Sequence, residues 1–196
     1  MKYNPQYHHR RSIRLLHYDY SRPGFYFVTI CTHQKQCLFG EMKEQKMGLN
    51  QIGKMVRDEW LKSAQICQEI ELDEWVIMPN HLHGIVVIQK NDDGGVINNK
   101  GAINVEGARH APLRCKPKSL SSFVAGFKSS VTKRIKVFCS QPDFCIWQRN
   151  YYESVVRNEQ HLNKIRHYIF DNPQKWAEDI ENHHNNSQGL LIDLIF

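Results

Sequence analysis

The spacing of apolar and polar positions divides this chain into strands and helices before any chemistry is considered. After Pro23-Gly24, the run Phe25-Tyr-Phe-Val-Thr-Ile-Cys-Thr32 is aromatic and β-branched throughout and predicts a strand. From Leu49 to Cys67 the period changes: Ile52, Met55, Val56, Trp60 and Cys67 return to one helical face, with Asn50 in place to cap it. Strands follow at 70–78 and 81–90, joined into an antiparallel hairpin by Pro79-Asn80, where proline presets φ and asparagine suits a turn. Residues 91–118 break the rhythm with Asn91-Asp-Asp-Gly-Gly95, Pro112 and Pro117. They read as a mobile insertion, because the pattern resumes directly after them. Ser119 then opens a helix in which Leu120, Phe123, Val124, Phe127, Val131, Ile135 and Phe138 share one arc. A fourth strand is expected within 146–156. The last helix runs from Glu159 to about Phe170, with Leu162, Ile165 and Ile169 as its apolar stripe. Pro173 disfavours helical geometry at Asn172, so fraying is expected there.

The resulting order, β-α-β-β-α-β-α, mixes an antiparallel hairpin with crossover helices. It predicts an α+β fold, a ferredoxin-like sandwich with a central antiparallel sheet and helices packed mainly on one face. We expect one domain over 1–176 and a tail over 177–196 that starts polar and ends in Leu-Leu-Ile-Asp-Leu-Ile-Phe. A hydrophobic content of 41% with 11% aromatics excludes a disordered chain. No apolar run is long enough to span a bilayer, and the first residues lack the apolar stretch of a secretory signal. The six cysteines are scattered, with no Cys-x-x-Cys, as in a chain kept reduced. These features predict a cytoplasmic protein.

The second strand of the hairpin begins His81-Leu-His83. Side chains two apart on a strand share a face, so the two imidazoles can converge on one divalent cation. The same spacing also describes two half-exposed histidines at a sheet edge, and spacing alone does not choose between these. Along the last helix, His161, Tyr168 and Asn172 line one border of the apolar stripe. A net charge of +6 points towards a polyanionic partner. The candidate phosphate contacts are the arm carrying Arg10, Arg11 and Arg14, then Lys128 and Lys133 on the helix after Ser119, and Arg149. Trp147 beside Arg149 is a candidate base-stacking platform.

Five segments taken together resemble one family. They are Tyr26-Phe-Val-Thr-Ile30, Met78-Pro-Asn-His-Leu-His-Gly84, Gly126-Phe-Lys-Ser129, Trp147-Gln-Arg-Asn-Tyr-Tyr-Glu153 and Tyr168-Ile-Phe-Asp-Asn-Pro173. In this order, over roughly residues 8–176, they are similar to the REP-associated tyrosine transposases. These belong to the single-tyrosine HUH transposases, whose name denotes two histidines flanking a hydrophobic residue. The resemblance implies cleavage and rejoining of single-stranded DNA beside hairpins, without a nucleotide cofactor, through a 5′-phosphotyrosine. It implies His81 and His83 as metal ligands, Tyr168 as nucleophile and Asn172 as a third ligand. It further implies magnesium or manganese as cofactor, hairpin-bearing single-stranded DNA as partner, a monomer or homodimer, and a place at the nucleoid.

The requirement for a metal also follows from elementary chemistry. A phenol with an ordinary pKa near 10 is a poor nucleophile at neutral pH, and a cation on the phosphate offsets the developing charge. Tyr151 and Tyr152 are rival nucleophiles within strand-like sequence. Two alternatives remain: a hairpin-binding module of the same fold without catalysis, and a nickase of the rolling-circle initiator or relaxase type.

Overall fold

The computed structural model describes residues 18–89, 119–179 and 181–182. The arm with Arg10, Arg11 and Arg14, the expected insertion at 91–118, and the apolar chain end lie outside the described residues. The elements follow the expected order with one addition. They are β1 (Gly24–Cys31), β2 (Gly40–Lys43), β3 (Lys46–Leu49), α1 (Gln51–Ile66), β4 (Ile70–Met78), β5 (His81–Ile88), α2 (Leu120–Cys139), β6 (Tyr152–Val155) and α3 (Glu159–Asp171). The β2–β3 hairpin is an addition that the pattern did not signal. The expected strand within 146–156 is confined to β6, and Trp147 forms only an isolated bridge to Thr32.

Strands β4-β5-β1-β6 form one antiparallel sheet with β1 and β5 at its centre. This is the ferredoxin-like α+β sandwich. Each helix begins at a side-chain cap that accepts one of its first free amides: Asn50 for α1, Ser119 for α2 and Asn158 for α3. Alternation along β1 and β5 separates two faces. Tyr26, Val28 and Ile30 with Leu82 and Val86 face α1 and α2, and they bury Trp60, Phe123 and Phe127 between the layers. Gly84 is required there because an added Cβ would lie 2.8 Å from the Trp60 ring.

The opposite face carries α3. Phe27 and Ile85 receive Leu162, Ile165 and Ile169, the stripe expected from the sequence. A second attachment fixes where α3 lies. β4 shifts register between Leu72 and Trp75, and Asp73 in that irregularity accepts from Arg166, from Nη2 at 2.6 Å and from Nε at 3.1 and 3.2 Å. Among the described residues, α1 and α2 thus share one face, and α3 stands alone over the face that bears His81 and His83. No helix among the described residues is long and apolar enough to cross a membrane.

Candidate functional site

His81 and His83 lead β5, and register sets their neighbours. His81 stands opposite Cys31 and Met78, His83 opposite Thr29 and Val76. Both rings are buried, at 0% and 3% exposure, and their centroids lie 4.3 Å apart. The Thr29 hydroxyl lies 2.8 Å from His83 Nδ1, and Phe27 stacks on the same ring at 5.4 Å. On α3, Tyr168 brings its hydroxyl to 3.2 Å from His83 Nε2. Of the three tyrosines considered from the sequence, it is the one whose hydroxyl meets this histidine. Tyr152 sits on the same sheet face, paired with Thr29 on the edge strand, whereas the Tyr151 hydroxyl contacts Ser121 Oγ at 3.4 Å.

Asn172 lies one turn beyond Tyr168 and keeps helical angles (φ −55°, ψ −43°) despite the following proline. The expected fraying does not occur there. Pro173 imposes only a bias, and the buried Asn172 side chain is tied down by donating from Nδ2 to Asp179 Oδ2 at 3.0 Å. Asp179 belongs to the segment expected as a tail, and this described part of it reaches the site. Its Oδ2 lies 3.9 Å from His81 Nε2, and one ligand atom from each of His81, His83 and Asp179 falls within 4.8 Å of the others. Trp176 covers His81 at 6.0 Å between ring centroids. Glu181 anchors the end of the segment. It accepts from Cys31 Sγ at 3.3 Å and pairs with Lys35 Nζ at 3.2 Å.

Two buried polar atoms in this group have no hydrogen-bond partner among the described residues: His81 Nε2 and Asn172 Oδ1. Leaving either unsatisfied costs about 1–3 kcal/mol, and each is an atom that can ligate a cation. The electrostatics agree. Burial, aided by the nearby Lys35 ammonium and opposed by Asn172, brings His81 down to about 3. Burial and the adjacent His81 hold His83 well below its usual range, with Asp179 opposing. Both imidazoles are therefore neutral at physiological pH, the form that binds metal. Tyr168 is pushed up by burial and then by the carboxylates of Asp179 and Glu181, with Asn172 opposing. In this state the phenol is protonated at physiological pH.

The remaining candidates fall elsewhere. α2 packs on the far face of the sheet, so Lys128 and Lys133 do not join the histidines. Lys128 Nζ donates to the carbonyls of Gln148 and Asn150 at 2.7 and 2.9 Å, which engages the charge expected to meet phosphate. Trp147 is only 9% exposed, set against Phe39 and Phe127, with its indole N–H on Lys128 O. That packing makes it a core residue rather than an open stacking platform. Lys133 and Arg149 are exposed.

Sequence reasoning missed Thr29, Lys35, Asp179 and Glu181 at this site, and gave Asn80 only a turn role. The alternation in β1 would have found Thr29 once the register with β5 was known. Nothing periodic marks the other three.

No family model matches the chain. A REP-associated tyrosine transposase solved bound to a REP hairpin shares the fold, with a TM-score of 0.54. The two chains are 19% identical, and the likeness covers 84% of this chain and 75% of that one. A Haemophilus influenzae protein described only as uncharacterized is 41% identical over 181 residues, covering 91% of this chain and 96% of its own length. The class is therefore a ferredoxin-like sandwich with a buried His-His-Asp group beneath a helix-borne tyrosine. Within that class, this chain belongs to the family of the H. influenzae protein.

Proposed function

We propose that this protein cuts and rejoins single-stranded DNA beside a hairpin, through a covalent 5′-phosphotyrosine at Tyr168. The observation that carries this reading is the convergence of one phenol, two neutral imidazoles and a carboxylate on a single buried spot of the sheet. The shared fold with a transposase bound to a REP hairpin supports the hairpin as partner.

The chain's residues divide the work. His81, His83 and Asp179, with Asn172 Oδ1, would hold a divalent cation, and the two orphaned atoms fit that role. A donor set of two imidazoles with a carboxylate and an amide oxygen suits manganese or magnesium better than the histidines alone would. Such a cation, when bound, offsets charge on the phosphate and lowers the barrier to in-line attack. Tyr168 Oη forms the bond to phosphorus as its proton passes to solvent, the P–O3′ bond breaks, and the freed 3′-oxygen takes up a proton from solvent. Because the phosphotyrosine conserves the ester, a second 3′-hydroxyl can reverse the step and join a different strand. His83 Nε2 cannot both accept from the Tyr168 hydroxyl and coordinate a cation. If His83 were to hold the cation through Nε2, its contact with the Tyr168 hydroxyl would have to give way.

The test uses a labelled oligonucleotide carrying a hairpin with a single-stranded foot, incubated with the protein and manganese and run on a denaturing gel. The wild type and Tyr151→Phe should give a covalent adduct, and Tyr168→Phe none. An adduct that persists in Tyr168→Phe would refute the assignment. Tight hairpin binding by a wild type that gives no adduct would favour the non-catalytic binder.

A further inference from the structure

We infer that Asn80 is a positioning residue that fixes His81 in the tautomer whose Nε2 lone pair faces Asp179 and His83. The turn residue sits at a crossing of three segments. Its Nδ2 lies 2.6 Å from Glu181 O and 3.1 Å from Lys35 O. Both partners are backbone carbonyls and can only accept, so the NH₂ group must occupy that side and Oδ1 the other. Oδ1, itself only an acceptor, lies 2.8 Å from His81 Nδ1. His81 Nδ1 therefore carries the ring proton, and Nε2 presents its lone pair to the buried spot where it has no hydrogen-bond partner among the described residues.

The contrast with His83 shows what Asn80 adds. His83 meets a hydroxyl at each nitrogen, Thr29 at 2.8 Å and Tyr168 at 3.2 Å, and a hydroxyl can donate or accept. Its tautomer is left free to follow whatever binds, whereas that of His81 is set in advance. The loop that makes this possible is itself constrained. Gln34 and Lys35 both take left-handed backbone angles (φ 52° and 53°), which carry the chain past Asn80. The Asn80 carbonyl accepts from Thr32 N at 2.8 Å, closing the same loop onto the turn. Asn80 thereby ties the tautomer to the docking of Glu181, two residues beyond Asp179.

The metal arm of this inference rests on the proposed function, but the tautomer does not, so the two can fail separately. The first measurement is a long-range ¹H–¹⁵N spectrum of metal-free protein at neutral pH, with His81→Gln used to assign the ring. His81 should show a protonated Nδ1 and a bare Nε2, and the reverse pattern would overturn the inference whatever the variants do. Asn80→Ala should lose that fixed pattern and bind manganese about 10–100-fold more weakly by titration calorimetry. Asn80→Asp still offers an oxygen to Nδ1–H but loses the donor to Lys35 O and Glu181 O, so it should keep the protonated Nδ1 while loosening the contact to Glu181. An Asn80→Ala protein that stays folded with unchanged tautomer and manganese affinity would sink the proposal. A wild type that takes up no manganese would count against the functional reading alone, with the nitrogen spectrum still deciding Asn80.

Discussion

Acidifying the metal-free protein should destabilise it through the histidines, and His81 sets a scale for the effect. In an unfolded chain an imidazole takes up its proton near pH 6.5, but in the fold burial and Lys35 delay that event at His81 to about pH 3. The folded pKa is depressed, so the unfolded state binds more protons between these values. Stability is then full above pH 6.5 and falls as pH drops towards 3, by about 1.4 kcal/mol per pH unit. At pH 5 the loss from His81 alone is about 2 kcal/mol, a large share of a typical 5–15 kcal/mol. His83, shifted in the same direction, adds to it. The assay is urea denaturation followed by tryptophan fluorescence, in chelator, in steps from pH 7.5 to 4.5. His81→Gln removes the titrating group and keeps a polar side chain in the same hole. The stability difference between wild type and variant should change by about 2 kcal/mol between pH 7 and 5. Parallel pH curves for the two proteins would show that His81 titrates normally, and the reasoning from burial would be wrong.

Two further perturbations separate packing from recognition. Gly84→Ala puts a Cβ 2.8 Å from the fully buried Trp60 ring and 3.3 Å from Trp75 Cβ, and should cost about 1–3 kcal/mol in urea denaturation. Lys128→Met removes two charged hydrogen bonds to the 148–150 loop and should cost roughly 1–3 kcal/mol without changing the salt dependence of DNA binding. Exposed Lys133 and Arg149, and Arg10 and Arg11 of the arm, should each flatten that log–log salt slope by about one unit on change to alanine if they meet phosphate.

Much of the scaffold was legible because its signals are local. Asn50, Ser119 and Asn158 cap helices through their own following amides, and the apolar stripes of α1, α2 and α3 are the surfaces they bury. The β2–β3 hairpin was not legible, for a reason in its turn. Glu44 and Gln45 both adopt positive φ (49° and 61°), a geometry usually announced by glycine or asparagine and here made by neither. The site divides along the same line. The placement of His81 and His83 on one face follows from strand period alone, and Tyr168 and Asn172 share a border by helical period. Asp179 and Glu181 lie past the end of α3, where no period runs, and reach the site only because the chain turns back there. At Lys128 and Trp147 the fold shows packing contacts that residue type does not announce. Residue type suggested a nucleic-acid surface, whereas the structure uses the lysine to hold backbone carbonyls and the indole to fill the core.

The order in which the site is written along the chain bears on its synthesis. Tyr168 follows His83 by 85 residues, and Glu181 follows Cys31 by 150. At about 5–20 residues per second, the ribosome reaches the tyrosine roughly 4–17 s after the second histidine. Throughout that interval the growing polypeptide carries the imidazole pair with neither phenol nor latch. A chain halted before Asn158 should therefore give no covalent adduct with the labelled hairpin oligonucleotide. On the proposed function, DNA near a translating ribosome meets a cutting enzyme only after α3 and the segment that carries Asp179 and Glu181 have been made.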